Sequence, residues 1–105
     1  MRKVVLFCAG GMSTSLLVTK IKNAANAKGI ELDINAYGLN EISKRAVDAD
    51  VLLLGPQVRF QLNEIKEKYP TIPSDSIEMR AYGTMDGEKV LQQIITLLGD
   101  IEEIK

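Results

Sequence analysis

Residues 3–15 read KVVLFCAGGMSTS, and this stretch decides the fold. Residues 3–8 form a short apolar run containing β-branched valines, which is typical of a strand buried on both faces of a parallel sheet. Gly10 and Gly11 end the run, and from Ser13 onward apolar residues recur at helical spacing. A buried strand that turns directly into a helix is the repeating unit of an α/β fold.

Four stretches predict helices because their apolar residues recur every three or four positions. The apolar faces are Leu17, Ile21, Ala24 and Ala25; Ile42, Ala46 and Val47; Val58, Leu62, Ile65 and Tyr69; and Leu91, Ile94, Ile95, Leu98, Ile101 and Ile104. Asn40 and Asp86 are expected to cap the second and last helices. Gly29 is expected to end the first helix and Pro70 the third, while Gly99 is a point where the last helix frays or bends.

Three further stretches predict strands. Residues 30–36 alternate apolar and polar side chains, which indicates an edge strand, whereas residues 51–54 are all apolar and indicate a central one. A weaker strand lies within residues 72–79. The expected fold is a three-layer, doubly wound α/β domain with a four-stranded parallel sheet, order 2-1-3-4, and helices on both faces.

In that strand order, the topological switch point lies between the first and third strands. A doubly wound sheet binds ligands in the crevice at the carboxyl ends of these strands. Cys8 ends the first strand, and Gly55, Pro56 and Gln57 follow the third. The strand order therefore predicts a functional site around Cys8.

Composition narrows the chemistry of that site. A length of 105 residues fits one globular domain over residues 1–105. The net charge of -1 disfavours nucleic acid as a partner. There is no histidine, which excludes imidazole bases and imidazole-based zinc sites. Cys8 is the single cysteine, which excludes an internal disulfide and a thiolate cluster. The sequence also lacks a convincing cluster of metal ligands, and we expect no metal and no cofactor.

The segment after Cys8 has the composition of an anion cradle. Its glycines permit a tight turn, and successive backbone N–H groups in such a turn, together with a helix N-terminus, attract phosphate oxygens. The same field favours the thiolate form of a cysteine without a histidine partner, and a thiolate can accept a phosphoryl group covalently. Taken alone, Cys8 could equally be a small core residue, and Ser13 could simply cap the helix. Only the combination of the cysteine, the two glycines and the hydroxyl residues between a strand and a helix is specific for a phosphate site.

Three separated motifs carry a resemblance to a known family. They are CAGGMSTSLLV at residues 8–18, ADVLLLGPQ at residues 49–57 and YGTMDG at residues 82–87. With these motifs the chain resembles, over essentially its whole length, the IIB component of the bacterial sugar phosphotransferase system, lactose/cellobiose type, in its cellobiose and chitobiose branch. The resemblance implies a small cytoplasmic α/β protein with a four-stranded parallel sheet.

The resemblance also implies a role for Cys8. It would receive a phosphoryl group from the phosphohistidine of a IIA partner and pass it to a sugar, such as cellobiose or chitobiose, held by the membrane component IIC. The missing histidine then belongs to the partner. The phosphate-binding loop would comprise Ala9, Gly10, Gly11, Met12, Ser13, Thr14 and Ser15.

Two alternatives remain open at this point. The loop also resembles that of low-molecular-weight tyrosine phosphatases, in which an arginine stands six residues after the cysteine; here Thr14 takes that place. Without the guanidinium, and without an acid and base for water attack in the loop, we expect a phosphocysteine that hydrolyses slowly. The alternatives are a phosphatase-like or arsenate-reductase-like enzyme and a non-enzymatic flavodoxin-like binding module.

Other residues near the predicted crevice are weaker candidates. Gln57 either donates its amide to a phosphoryl oxygen or is a solvated surface residue, and Arg59 serves partner docking or solubility. Tyr82 borders the crevice after the fourth strand or lies partly buried in a simple turn. Met12 contacts a partner or packs on the first helix. The apolar runs are too short to span or insert into a membrane, and we expect a cytoplasmic monomer.

Overall fold

A computed structural model of the chain describes residues 2–8 and 12–99. The strands are β1 (Arg2–Cys8), β2 (Leu32–Gly38), β3 (Val51–Leu54) and β4 (Ser74–Ser76). The helices are α1 (Met12–Ala27), α2 (Ile42–Arg45), α3 (Leu62–Lys68), α4 (Met79–Gly83) and α5 (Gly87–Leu98). Short 3₁₀ segments lie at Leu39–Glu41, Ala46–Asp48 and Pro56–Gln61.

The strands form one parallel sheet in the order β2-β1-β3-β4, as the sequence predicts. The two central strands carry the apolar runs, and Val51 to Leu54 are fully buried along the whole of β3. An alternating strand, β2, lies at one edge, and the short β4 lies at the other. Burial on both faces selects the apolar strands for the centre of the sheet.

Successive side chains of β1 enter different layers. Val4 and Leu6 pack in a cluster with residues of α1, α4 and α5. Val5 and Phe7 pack on the opposite face, in a cluster that includes Ala46 and residues of α3 and the segment before it. The helices thus cover both faces of the sheet. The connection from β1 leads to β2 on one side and the connection from β3 leads to β4 on the other, so the switch point lies between β1 and β3.

The helix ends follow the local signals in most places. Gly29 adopts φ +72° just after α1, and Gly99 adopts φ +73° just after α5, so α5 ends there. The Asp86 side chain accepts a hydrogen bond from the Lys89 backbone N–H at 3.1 Å and caps α5 as predicted. Ile101 and Ile104 lie outside the described residues.

Three sequence expectations for helices are wrong. Asn40 is inside a 3₁₀ segment whose N-cap is Gly38, and no side-chain cap bond occurs there. Val47, expected on the apolar face of the second helix, is 63% exposed because the helix changes to 3₁₀ geometry at Ala46 and its faces rotate. The first helix begins at Met12, so Ser13 is already inside it.

Within residues 2–8 and 12–99, no helix is long and apolar enough to cross a membrane.

Candidate functional site

The ends of β1 and β3 meet beside Cys8. The Gly55 backbone N–H donates to the Phe7 carbonyl at 2.8 Å, which ties the turn after β3 to the last residues of β1. A Cβ placed on Gly55 would lie 3.3 Å from the Cβ of Cys8. On its other side, Cys8 pairs with Gly38 at the end of β2. Cys8 therefore stands at the predicted switch point, surrounded by strand ends.

The Cys8 side chain points into the layer of α1, α4 and α5, as its spacing from Leu6 requires. It is 4% exposed. The Thr14 hydroxyl donates to its Sγ at 3.1 Å, within the range of a hydrogen bond to sulfur. Thr14 lies in the first turn of the sixteen-residue α1, whose N-terminus carries a partial positive charge. A thiolate at Cys8 would thus meet both a hydroxyl donor and a helix dipole.

Tyr82 contributes the second contact to Thr14. Its hydroxyl lies 3.0 Å from the Thr14 Oγ1, a contact that joins residues 68 positions apart. The structure corrects the sequence expectation of a turn here, since Tyr82 belongs to α4 and is buried. The contact of Tyr82 with Thr14 could not be predicted from local sequence; the YGTMDG motif at residues 82–87 is the one signal that points to Tyr82.

The remaining candidates are less enclosed. Ser15, Gln57 and Arg59 are exposed. A Cβ on Gly55 would lie 2.8 Å from the Gln57 Oε1, so the Gln57 amide sits over the glycine that adjoins Cys8. Arg59 follows in the 3₁₀ segment Pro56–Gln61, without a described contact to Cys8. Gln57 lies at the site, and Arg59 lies on the segment that leaves it.

The structure leaves part of the predicted loop undescribed. Ala9, Gly10 and Gly11 lie outside the described residues. Met12 and Ser13 begin α1, and their backbone alone is described. The proposed contacts of these five residues with a phosphoryl group therefore remain sequence predictions.

The described part of the chain holds no group of three His, Cys, Asp or Glu side chains able to bind a metal ion. Chemically, the arrangement offers a buried sulfur nucleophile, a hydroxyl donor on that sulfur and the electropositive end of a helix. These are the elements of a site that forms a covalent bond to an electrophilic anion such as a phosphoryl group.

The chain is similar to known proteins over most of its length. Residues 3–93 match the family described as "PTS system, Lactose/Cellobiose specific IIB subunit". The oligo-beta-mannoside-specific EIIB component of Bacillus subtilis (strain 168) is 40% identical over 100 residues, which cover 93% of this chain and 97% of that protein. The cellobiose-specific EIIB component of Lactococcus lactis subsp. lactis (strain IL1403) is 43% identical over 95 residues, which cover 84% and 88% of the two chains.

Two solved structures agree with the fold. The solution structure of the cellobiose-specific IIB component from Borrelia burgdorferi matches with a TM-score of 0.77 and 40% identity over 94% of this chain and 93% of that one. The lactose-specific IIB domain from Streptococcus pneumoniae matches with a TM-score of 0.81, over 90% of this chain and 95% of that domain. At 23% identity, the second match speaks for the fold alone.

Proposed function

The chain belongs to the lactose/cellobiose-specific IIB family of the sugar phosphotransferase system, a family of phosphotransferase components, and on this premise we propose that Cys8 is its phosphoryl carrier. IIB components work with IIA and IIC partners. In the proposed cycle, Cys8 accepts a phosphoryl group from a phosphohistidine of IIA and gives it to a sugar held by IIC.

The observation that carries the proposal is the position of the Cys8 sulfur. It lies at the end of a central strand, 3.1 Å from a hydroxyl in the first turn of α1. The thiolate attacks phosphorus in line; the S–P bond forms as the N–P bond to the histidine breaks. The α1 dipole favours negative charge at this point, so no surplus of Lys and Arg is needed to hold the phosphoryl oxygens.

We assign the phosphate-binding loop to residues 9–15. Their backbone N–H groups would supply most of the hydrogen bonds to the phosphoryl oxygens, with hydroxyls from Ser13 or Ser15 as further donors. The exposed Gln57 amide lies over Gly55, and in this proposal it donates to an oxygen of the phosphoryl group on Cys8. Holding the group with amides and hydroxyls binds it without activating water.

The absence of an arginine at position 14 supports a carrier over a hydrolase. A phosphatase accelerates the second step with a guanidinium that stabilises the transition state and with an acid and base that handle protons. Thr14 contributes a neutral hydroxyl, and it is directed to sulfur. The phosphocysteine should therefore persist until IIC presents a sugar.

The sugar is proposed to be a β-linked disaccharide of the cellobiose or chitobiose class. The named relatives include oligo-beta-mannoside-specific and cellobiose-specific components, besides a galactose-specific component of Lactococcus lactis subsp. cremoris (strain MG1363) that is 43% identical over 95 residues. Two of these three specificities concern β-linked oligosaccharides. We further propose that the protein acts as a cytoplasmic monomer that meets IIA and IIC in turn.

Labelling with a phosphorylated IIA component tests the carrier role. Wild type should take up one stable phosphoryl group, and Cys8→Ser should take up none, because no other thiol exists in the chain. Circular dichroism of Cys8→Ser checks that the loss is chemical. Label on both proteins, or on neither, contradicts the carrier role, and rapid phosphate release in the absence of IIC and sugar would indicate a phosphatase.

A further inference from the structure

Three buried side chains from three different elements form a hydrogen-bonded chain that ends at the sulfur. The Tyr82 hydroxyl of α4 contacts the Thr14 Oγ1 of α1 at 3.0 Å, and Thr14 donates to the Cys8 Sγ of β1 at 3.1 Å. Thr14 is 2% exposed and Tyr82 is 8% exposed. Water therefore competes little with either contact.

Proton counting fixes the direction of this chain when Cys8 is ionised. A threonine hydroxyl has one proton, and a thiolate has none. If Thr14 gives its proton to the sulfur, the Tyr82 O–H must be the donor to the Thr14 oxygen. Successive hydrogen bonds in a buried site polarise one another, so donation by Tyr82 makes Thr14 a stronger donor to the sulfur.

Tyr82 also decides where the Thr14 proton points. A threonine hydroxyl can rotate about its C–O bond, so its single proton can be directed at more than one acceptor. When the Tyr82 hydroxyl donates to the Thr14 oxygen from the side of α4, it favours the rotamer in which the Thr14 proton points at Cys8. Loss of that donor leaves a buried oxygen without its partner and frees the hydroxyl to turn away.

We propose that Tyr82 is a positioning residue for phosphoryl transfer, which acts through Thr14 to stabilise negative charge on the Cys8 sulfur. The proposal rests on the carrier role of Cys8. When the acceptor hydroxyl of the sugar attacks phosphorus, the S–P bond breaks, its electron pair stays on the sulfur, and the hydroxyl proton leaves to a base on the acceptor side or to solvent. The hydrogen-bonded chain Tyr82–Thr14–Cys8, here called the relay, stabilises the thiolate that leaves phosphorus in this step. It also stabilises the thiolate that attacks the phosphohistidine of IIA.

Four variants test the relay: Tyr82→Phe, Thr14→Val, Thr14→Ser and the double variant Tyr82→Phe/Thr14→Val. Transfer from phosphorylated IIA should be about ten-fold slower or worse in Thr14→Val and about three- to ten-fold slower in Tyr82→Phe. Thr14→Ser keeps the hydroxyl and should transfer faster than Thr14→Val. The double variant should be no slower than Thr14→Val, because the described contact between Tyr82 and the sulfur runs through the Thr14 hydroxyl.

A second measurement needs no partner protein. The ultraviolet absorbance of the thiolate, taken as the difference between each protein and its Cys8→Ser counterpart, gives the ionised fraction of Cys8 at a chosen pH. Tyr82→Phe and Thr14→Val should each lower that fraction, and Thr14→Ser should not. This readout keeps its meaning even if IIA labelling shows that Cys8 is not a phosphoryl carrier, so the two proposals fail separately.

The matched control is Tyr69→Phe, which removes a tyrosine hydroxyl from the layer on the other face of the sheet. It should change neither the transfer rate nor the thiolate fraction, and urea unfolding of each variant corrects the rates for folded fraction. The relay is overturned if Tyr82→Phe behaves as wild type in both measurements. It is also overturned if Tyr82→Phe slows the Thr14→Val protein as much as it slows wild type, since the effect is then a packing loss.

Discussion

At the scale of single residues, Gly55 lies directly against Cys8, the proposed nucleophile. Its backbone (φ -62°, ψ 153°) is open to any residue, so the need for glycine comes from space and not from conformation. An added Cβ would lie 3.3 Å from the Cβ of Cys8 and 2.8 Å from the Gln57 Oε1. The flexible amide can move aside, whereas the strand carrying Cys8 is fixed by pairing on both sides.

Gly55→Ala should therefore impair transfer more than folding. We expect the free energy of unfolding in urea to change by less than about 1 kcal/mol, because alanine restricts the unfolded chain and offsets part of the contact. Transfer from IIA should slow by about ten-fold, since a small displacement of a reacting atom is costly. The same substitution in a Gln57→Ala background is the control. If Gly55→Ala causes no further slowing relative to Gln57→Ala alone, the amide, and not Cys8, is what the new methyl disturbs.

At the scale of elements, α1 and α5 approach so closely that one residue must lack a side chain. A Cβ on Gly87, the first residue of α5, would lie 2.5 Å from the carbonyl carbon and oxygen of Lys20 in α1. These are backbone atoms of a regular helix and cannot turn away. Gly87→Ala is expected to lower the free energy of unfolding by about 1–3 kcal/mol, the usual cost of overpacking a rigid contact.

Gly83→Ala is the matched control for Gly87→Ala. Gly83 is also helical, and nothing lies within 4 Å of its hypothetical Cβ. Alanine there should leave the free energy of unfolding unchanged or raise it by up to about 1 kcal/mol, through helix propensity. Urea unfolding of both variants measures the difference, and equal losses at the two positions would contradict the close approach of α1 and α5.

The sequence predicts elements well where one residue pattern decides them. The apolar runs of β1 and β3 predicted the centre of the sheet, and Gly29 and Asp86 predicted helix ends, because each signal acts within a few residues. The prediction failed at Val47, where the chain changes from α to 3₁₀ geometry and an α-helical period no longer applies. α4 is five residues long, too short to show any period.

In the candidate site too, the sequence predicts what local patterns decide and does not predict what long-range packing decides. Cys8 was found from local composition together with strand order, since both can be deduced from residue patterns. Its contact with Thr14 spans six residues and joins a strand end to the following helix. The contact of Thr14 with Tyr82 spans 68 residues and depends on how α4 packs on α1, which no local pattern encodes. The relay is accordingly visible only in three dimensions.

At the scale of the whole molecule, all four strands are parallel, so their carboxyl ends lie along one edge of the sheet, where Cys8 also lies. Leu16, Phe60 and Met79 lie on the segments that follow β1, β3 and β4 at that edge, and all three are large, apolar and at least half exposed. Exposed aromatic and methionine side chains are characteristic of interface cores. Val47 is similarly exposed but lies just before β3, at the opposite end of the sheet.

Phe60 is the largest of these exposed side chains, and we predict that it contributes to docking IIA and not to folding. Because Phe60 is 74% exposed, Phe60→Ala should change the free energy of unfolding by less than about 0.5 kcal/mol. It should raise the IIA concentration needed for half-maximal transfer by about five-fold or more, with the maximal rate unchanged, because an interface anchor contributes to binding and not to the chemistry at Cys8. Val47→Ala removes an apolar side chain that is 63% exposed at the far end of the sheet and should leave the same titration unaltered. If the two substitutions shift the titration equally, general surface hydrophobicity rather than the edge around Cys8 governs the encounter.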